Sequence, residues 1–580
     1  MPLVEFRPTG ASAEVPVGTS LLDAARRARA RLETPCNGLG TCGKCMVRLD
    51  DPVRHSVRVV ENRNLSQDEQ DNGWVLLCST LVGETDIAVD LPGAGERGLR
   101  ILEDGRRLDL ALDPWIRKRF DAERRLTEVF SGDRLLGADS GDSTSRTYGI
   151  AVDVGTTTVV ASLIDLGTGS RVGSASVLNP QVAHAQDVLS RVQLGSSEAG
   201  LALLHGDLMQ ELDRLIGLLA SEARIPRRRI YEVVIAGNTC MMHLAANVNP
   251  EPLGRYPYTP TLTGGTHLTA ASLALSISSL GIVFFPPVVS GFVGSDITVG
   301  VLAVDLAQAR GVTLFVDIGT NGEMVLARDG RLQATSTAAG PAFEGMNIAC
   351  GMRAARGAIE RVSIDAGRIE VATIDEALPV GLCGSGLLDA VAALVEHGVI
   401  DSSGRFTREP DRLDPGLRER LRKLDGKPVF YLADEVYLSQ RDIRQVQLAK
   451  GAVRAGIDIL LKRNGMTADD VDQALIAGSF GYHLTTSSLV TIGLFPAAFD
   501  GKVDYVGNTA RTGAEALLTN AGARDTLQRL VAEIESVELA NDAGFTDAFV
   551  AAMAFPRPPD GRRSTPPQRQ STVALAESQA

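Results

Sequence analysis

Alternating apolar and polar positions open the chain. Val4–Arg7 and Glu14–Val17 read as half-buried strands, and a helix is predicted to follow Thr19, whose hydroxyl can cap it. The charged stretch Pro114–Val129 reads as helix, followed by Gly/Ser/Asp-rich punctuation over Gly137–Ser145. From Tyr148 the texture changes to β-branched strands, glycine turns and helices. Two segments echo one another: Gly149-Ile-Ala-Val-Asp-Val-Gly-Thr-Thr-Thr-Val-Val and Leu314-Phe-Val-Asp-Ile-Gly-Thr-Asn-Gly-Glu-Met-Val. Two more have a related strand-to-glycine form, Val233-Val-Ile-Ala-Gly-Asn-Thr and Ala474-Leu-Ile-Ala-Gly-Ser-Phe-Gly.

With 580 residues the chain exceeds what one hydrophobic core serves, so several domains are expected. The texture divides it into a compact unit at 1–93, a linker with a small helical module at 94–146, lobes at 147–310 and 311–555, and a tail at 556–580. The tail is rich in Pro, Arg, Ser and Gln and is predicted to be disordered.

Composition changes this picture little but removes several classes of function. Hydrophobic residues are 44% and charged residues 22%, ordinary for a soluble protein, and the net charge of −13 comes with no long basic run. Nucleic acid is therefore not an expected partner. The arginines at 117–125 and 227–229 are read as solvated helix faces. The apolar stretch Ile282–Val289 is short and broken by Pro286 and Pro287, so no membrane span is expected. Met1-Pro-Leu-Val-Glu-Phe runs straight into a strand pattern, which gives no signal peptide and predicts a cytoplasmic protein.

The seven cysteines are an odd number, and four lie in the first 78 residues, which argues for metal or redox use over a disulfide framework. Cys36, Cys42 and Cys45 form a C-x5-C-x2-C loop, and Cys78 follows after 32 residues. An iron–sulfur cluster needs four thiolates. Three come from one loop only if the backbone folds tightly around the sulfides, which Gly38, Gly40 and Gly43 permit. Zinc ribbons instead favour two separated C-x2-C pairs. The predicted cofactor is a [2Fe–2S] cluster on Cys36, Cys42, Cys45 and Cys78. The segment resembles the β-grasp ferredoxins of the plant-type fold, with the adrenodoxin-like spacing in its first gap.

A strand ending in Asp then Gly-Thr makes a tight hairpin whose amides and hydroxyls can wrap a phosphate, while the aspartate meets Mg²⁺ or positions water. Two such hairpins across a cleft would hold phosphates from both sides. The region resembles the acetate kinase, sugar kinase, Hsp70 and actin superfamily, a duplicated ribonuclease H-like ATPase fold. That resemblance makes Asp153 with Gly155, Thr156, Thr157 and Thr158 the first phosphate loop. It makes Asp317 with Gly319, Thr320, Asn321, Gly322 and Glu323 the second, and Gly478, Ser479 and Gly481 the adenosine loop. Gly237 and Asn238 join the binding set, and Asp153, Asp317 and Glu323 are the candidate catalytic carboxylates. The predicted ligand is ATP with Mg²⁺. No G-x4-G-K-[ST] loop is present, which excludes a P-loop ATPase.

A ferredoxin unit in front of this α/β fold is similar in plan to the reductive activators of corrinoid proteins. Asn179-Pro-Gln, Asp187-Val-Leu-Ser-Arg191, Gly237-Asn-Thr-Cys-Met-Met-His243, Gly351–Ile359 and Gly381–Gly386 resemble that family's signatures. The resemblance implies ATP-dependent return of one electron to inactive Co(II), restoring Co(I) in the corrinoid protein of a methyltransferase system. It also implies an upstream electron donor and a homodimer as one possible state. Two other readings stay open: an ATP-gated electron donor to another low-potential enzyme such as a dehydratase, and a redox-sensing nucleotide-binding module. Cys350 invites comparison with dehydratase activators, which share a [4Fe–4S] cluster between subunits, but Cys240, Cys350 and Cys383 are expected to be small buried residues. His243 and His483 lie beside glycine elements and are expected to be satisfied structural histidines.

Overall fold

The computed structural model describes residues 1–7, 10–28, 30, 45–49, 53, 56–60, 65, 70–91, 105–478 and 484–557. At the N-terminus a five-stranded sheet has the order Ala11–Glu14, Leu3–Arg7, Ile87–Asp90, Met46–Arg48, Trp74–Leu76. Leu3–Arg7 pairs antiparallel with Ala11–Glu14 and parallel with Ile87–Asp90. The helix Leu21–Arg27 packs Leu21, Leu22, Ala24 and Ala25 into the core with Val4, Phe6, Val47, Val75 and Val89. This is the predicted β-grasp, with two local corrections. The second strand ends at Glu14 instead of starting there, since Pro16 has no N–H to give a ladder. The helix is capped by Ser20, which accepts from Asp23 N at 3.0 Å, whereas the Thr19 hydroxyl donates to the Pro16 carbonyl.

The stretch expected to hold a helical module is a three-stranded antiparallel sheet: Ile116–Asp121, Leu126–Ser131 and Arg134–Ser140. Arg, Glu and Leu favour helix locally, but tertiary packing overrides that. The Asp121 carboxylate accepts the Glu123 and Arg124 amides and turns the chain, and Ile116, Thr127 and Val129 are buried from alternate positions. The arginines at 117–125 are therefore on a hairpin, and Arg227–Arg229 form a 3-10 turn. The sheet docks on the next domain, where Lys118 Nζ lies 3.8 Å from the Tyr231 ring centroid and Asp139 accepts the Tyr231 hydroxyl. Just upstream, Gly105 bridges to Gly507 and Arg106 N donates to the Val506 carbonyl. The described part of this connection is thus packed against both lobes.

Two six-stranded sheets follow. The first runs Arg171–Leu178, Thr158–Asp165, Tyr148–Val154, Ile230–Gly237, Ile282–Phe285, Thr266–Thr269. The second runs Val503–Gly507, Gln473–Ala477, Val312–Ile318, Gly322–Arg328, Arg331–Thr337, Glu535–Ser536. In each, the opening strand lies inside the sheet, with two antiparallel hairpin strands on one side and two parallel strands on the other. An outer strand is added beyond the parallel strands in the first sheet (Thr266–Thr269, antiparallel) and beyond the hairpin in the second (Glu535–Ser536, parallel). A long helix separates hairpin from parallel strands in each lobe, Glu198–Glu222 with 25 residues and Gln440–Arg463 with 24, so the helices correspond as the strands do. This is a duplicated ribonuclease H-like arrangement. Helices Ser295–Ala303 and Thr509–Thr519 pack face to face between the lobes. A Cβ at Gly513 would sit 2.1 Å from the Val299 carbonyl, so only glycine allows that approach. No described helix is long and apolar enough to cross a membrane.

Candidate functional site

Topology brings the two hairpin turns together. Asp153 and Asp317 each occupy the next-to-last position of an opening strand, and both turns line one cavity of about 500 Å³ between the lobes. Gly155, Thr156, Thr157 and Thr158 line it from the first lobe with Asn238. Gly319, Thr320, Asn321, Glu323 and Gly478 line it from the second. Gly237 and Gly322 do not: a Cβ on Gly237 would meet the Val154 carbonyl at 2.7 Å, and one on Gly322 would meet Thr337 Oγ1 at 2.8 Å, so both glycines serve packing behind the wall. Gly478 has φ +101°, and a Cβ there would lie 2.7 Å from Asp317 Oδ1. Its lack of a side chain keeps that carboxylate in place. Ser479 and Gly481 lie outside the described residues.

Thr157 and Thr320, one from each turn, donate their hydroxyls to the two oxygens of one carboxylate, Glu344. Asn238 Nδ2 donates to Thr156 Oγ1 at 3.1 Å. Asn508 caps the helix Thr509–Thr519 through Oδ1, and its Nδ2 reaches Asp153 Oδ2 at 2.8 Å.

Six carboxyls line the cavity: Glu344, Glu360 and four whose protons are held more tightly than usual, Asp153, Asp296, Asp317 and Glu323. Burial pushes Asp153 up to about 6, against the pull of Asn508 and Arg511. Burial and then the Asp153 charge push Asp317 up to about 7. Asp296 rises to about 8, through burial and then Asp317 and Asp153, and Glu323 is raised well above the usual range by burial and by Asp296 and Asp317. Such a set favours either protons or a cation. Among the described residues no three His, Cys, Asp or Glu side chains converge into a ready-made cage.

Asp296, Glu344 and Asn508 escaped the sequence reading. Each is far in sequence from the hairpins it meets. The available signals were Gly291-Phe-Val-Gly-Ser-Asp296 and the repeat of Ala236-Gly-Asn-Thr239 as Val506-Gly-Asn-Thr509.

Cys36 and Cys42 lie outside the described residues. Cys45 and Cys78 flank a shared ladder, in which Met46 pairs with Leu76 and Leu77 N donates to the Cys45 carbonyl at 2.9 Å. The distant fourth cysteine is thereby brought beside the three-cysteine loop's last member, and two soft sulfur donors at the adjoining ends of paired strands fit an iron–sulfur cluster. Of the other cysteines, Cys240 is buried with its thiol pushed up to about 12 by burial. Cys350 is half-buried, taking the Tyr437 amide, and Cys383 is buried yet lines the cavity. His243 is structural as expected: Nδ1 meets the Thr239 carbonyl and Nε2 accepts the Thr261 and Leu262 amides, which keeps the ring neutral. His483 lies outside the described residues.

Comparison with known proteins bears on the whole arrangement. The 2Fe-2S iron-sulfur cluster binding domain family matches residues 4–83, the RACo middle region 148–309, and the C-terminal ASKHA domain of RACo 311–562. The corrinoid activation enzyme RamQ of Eubacterium limosum is 33% identical over 446 residues, covering 74% of each chain. The chain belongs to the corrinoid reductive activator family. The solved structure of a reductive activator for corrinoid, iron-sulfur protein is 31% identical, covers 96% of this chain and 99% of its own, and superposes with a TM-score of 0.70. A more distant family relative, the Co(II) methylated amine-specific corrinoid protein reductase of Methanosarcina barkeri, is 21% identical and covers 70% of this chain and 77% of its own.

Proposed function

We propose that this protein is an ATP-dependent reductive activase. Its substrate is the inactive Co(II) of a corrinoid protein, which gains one electron and becomes the Co(I) needed for methyl transfer. Cys36, Cys42, Cys45 and Cys78 hold the [2Fe–2S] cluster, which supplies one-electron chemistry when bound. The observation that carries the reading is the joining, in one chain, of this ferredoxin domain to a cleft whose two Asp-Gly-Thr turns converge. The relatives support the acceptor, since RamQ is a corrinoid activation enzyme and the Methanosarcina protein a reductase for Co(II) of a corrinoid protein.

Within the cleft, the residues do separate work. The turns Gly155–Thr158 and Gly319–Asn321 receive the phosphates from opposite lobes, and Asp153, Asp317 and Glu323 hold the accompanying Mg²⁺ or its waters. Gly478 lies at the start of the adenosine loop. Thr157 and Thr320 both donate to Glu344, so a phosphate that took both hydroxyls would displace that carboxylate. Nucleotide then links the lobes through phosphate in place of Glu344, and binding favours one lobe arrangement over another.

Glu344→Gln is expected to tighten ADP binding about tenfold, because a charged acceptor competes for the two hydroxyls more strongly than an amide. Titration calorimetry checks this, and weaker binding would instead place Glu344 among the groups that hold nucleotide. The functional reading is tested by rapid anaerobic mixing of the reduced, cluster-loaded protein with a Co(II) corrinoid protein. Reoxidation of the iron–sulfur absorbance matched by loss of Co(II) supports it, and reoxidation with Co(II) unchanged would sink it.

A further inference from the structure

Asn179-Pro-Gln181 and Asp187–Arg191 stand out in the sequence, yet neither lines the cavity. Both pack against the rear of the first phosphate turn, where Asn179, Gln181 and Arg191 are fully buried. Asn179 Nδ2 donates to the Gly155 carbonyl at 2.8 Å, and its backbone N–H to the Thr157 carbonyl at 2.9 Å. Arg191 Nη2 donates to the Thr156 carbonyl at 2.5 Å. Three consecutive carbonyls of the turn are thus drawn to the rear. Across a trans peptide the N–H points opposite to the carbonyl, so holding the Gly155 and Thr156 carbonyls aims the Thr156 and Thr157 amides toward the cavity. Adjacent amides presented this way form an anion nest.

The charge on Arg191 adds to this. Its remaining hydrogen bonds go to the Ala185 carbonyl at 3.1 Å, Gln181 Oε1 at 3.0 Å and Met241 Sδ at 3.0 Å, all neutral. Asp187, which faces Ser190, and Glu344, which faces the two threonines, act on it only over a distance. A buried cation without a contacting counter-ion is costly, unless an anion arrives close by. The peptide it holds, Thr156–Thr157, is that of the phosphate turn itself.

We infer that Arg191, seated by Gln181 and assisted by Asn179, is a positioning residue that fixes the 155–157 turn as an anion nest. Its buried positive charge acts on the phosphate chain of a nucleoside di- or triphosphate. This rests on the nucleotide reading of the cleft.

Titration of the full, cluster-loaded chain with ADP and with adenosine separates this role from a merely structural one. Arg191→Met and Gln181→Glu, which neutralises the guanidinium in place, are expected to weaken ADP binding about tenfold or more, with adenosine affinity changed less than about threefold. Arg191→Lys recovers part of the loss. Equal losses for ADP and adenosine, or unchanged ADP affinity in a folded variant, would overturn the inference. Should Arg191→Met not fold, Gln181→Glu decides. A wild-type chain that binds no ADP would overturn the nucleotide reading and this inference with it, whereas wild-type binding with phosphate-independent losses overturns this inference alone.

Discussion

Asp317→Asn is expected to make the empty protein more stable at pH 8 than the wild type while removing ATP-dependent turnover. In the folded state the Asp317 carboxyl titrates at about 7, raised by burial and then by Asp153. A carboxyl whose pKa rises on folding holds its proton longer in the native state than in the unfolded chain. The native state therefore loses stability as pH climbs from near 4, where the unfolded carboxyl ionises, to about 7. Asparagine carries no such loss. Because Asp317 faces an open cavity, solvent screens part of the effect, and about 1–2 kcal/mol is expected at pH 8. Thermal melts across pH 5 to 8 should show an advantage of the variant that grows with pH. An advantage independent of pH would mean that the charge costs nothing in this site.

The raised carboxyls of the cleft also give the proposed cation binding a pH dependence. On the proposed role of the cleft, a Mg²⁺ bound there would displace the protons that Asp317 and Asp296 keep up to about 7 and about 8, so Mg-nucleotide affinity is expected to increase as pH rises from 6 to 8. On the proposed Mg²⁺ role, loss of Asp317 would remove a cation-facing group, and the expected fall in turnover is on the order of 100-fold. Turnover near the wild-type rate would exclude Asp317 from the cation site.

The second large effect concerns stability. Arg524 donates to Glu232 at 2.7 Å in the core, to the Leu517 carbonyl and to His267 Nε2 at 2.9 Å. Its guanidinium lies 4.6 Å from the Trp115 ring centroid and 4.4 Å from that of Phe284. His267, pushed down to about 4 by burial and by Arg524, is the neutral acceptor this geometry needs. One side chain therefore joins the segment before the small sheet, the first lobe and a C-terminal helix. Arg524→Leu leaves the fully buried Glu232 without its cation, and a loss of about 3–5 kcal/mol is expected in denaturant unfolding. Adding Glu232→Leu should recover much of that loss, since an apolar pair removes the stranded charge. A double variant as unstable as the sum of the singles would contradict a direct partnership.

What the sequence made legible was local. The 2Fe-2S domain and the two hairpin turns that line the cleft are each signalled by a few adjacent residues, so they could be read without knowing what packs against them. The 114–129 stretch failed because Arg, Glu and Leu prefer helix while Tyr231 and His267, distant in sequence, make a sheet the better packed state. Glu344, Asp296 and Asn508 were missed for the related reason that only the folded topology brings them to the hairpins. Asn179 and Arg191 stood out as motifs, but their position behind the turn needed the third dimension.

The most direct test of the central claim follows the visible spectrum of a Co(II) corrinoid protein under anaerobic reductant. This chain would be present or absent, with or without Mg-ATP. The account predicts a Co(I) band only when both are present, lost with Cys45→Ala and with Asp317→Asn. Co(I) formation that proceeds equally without ATP, or unimpaired in the Cys45→Ala protein, would contradict it.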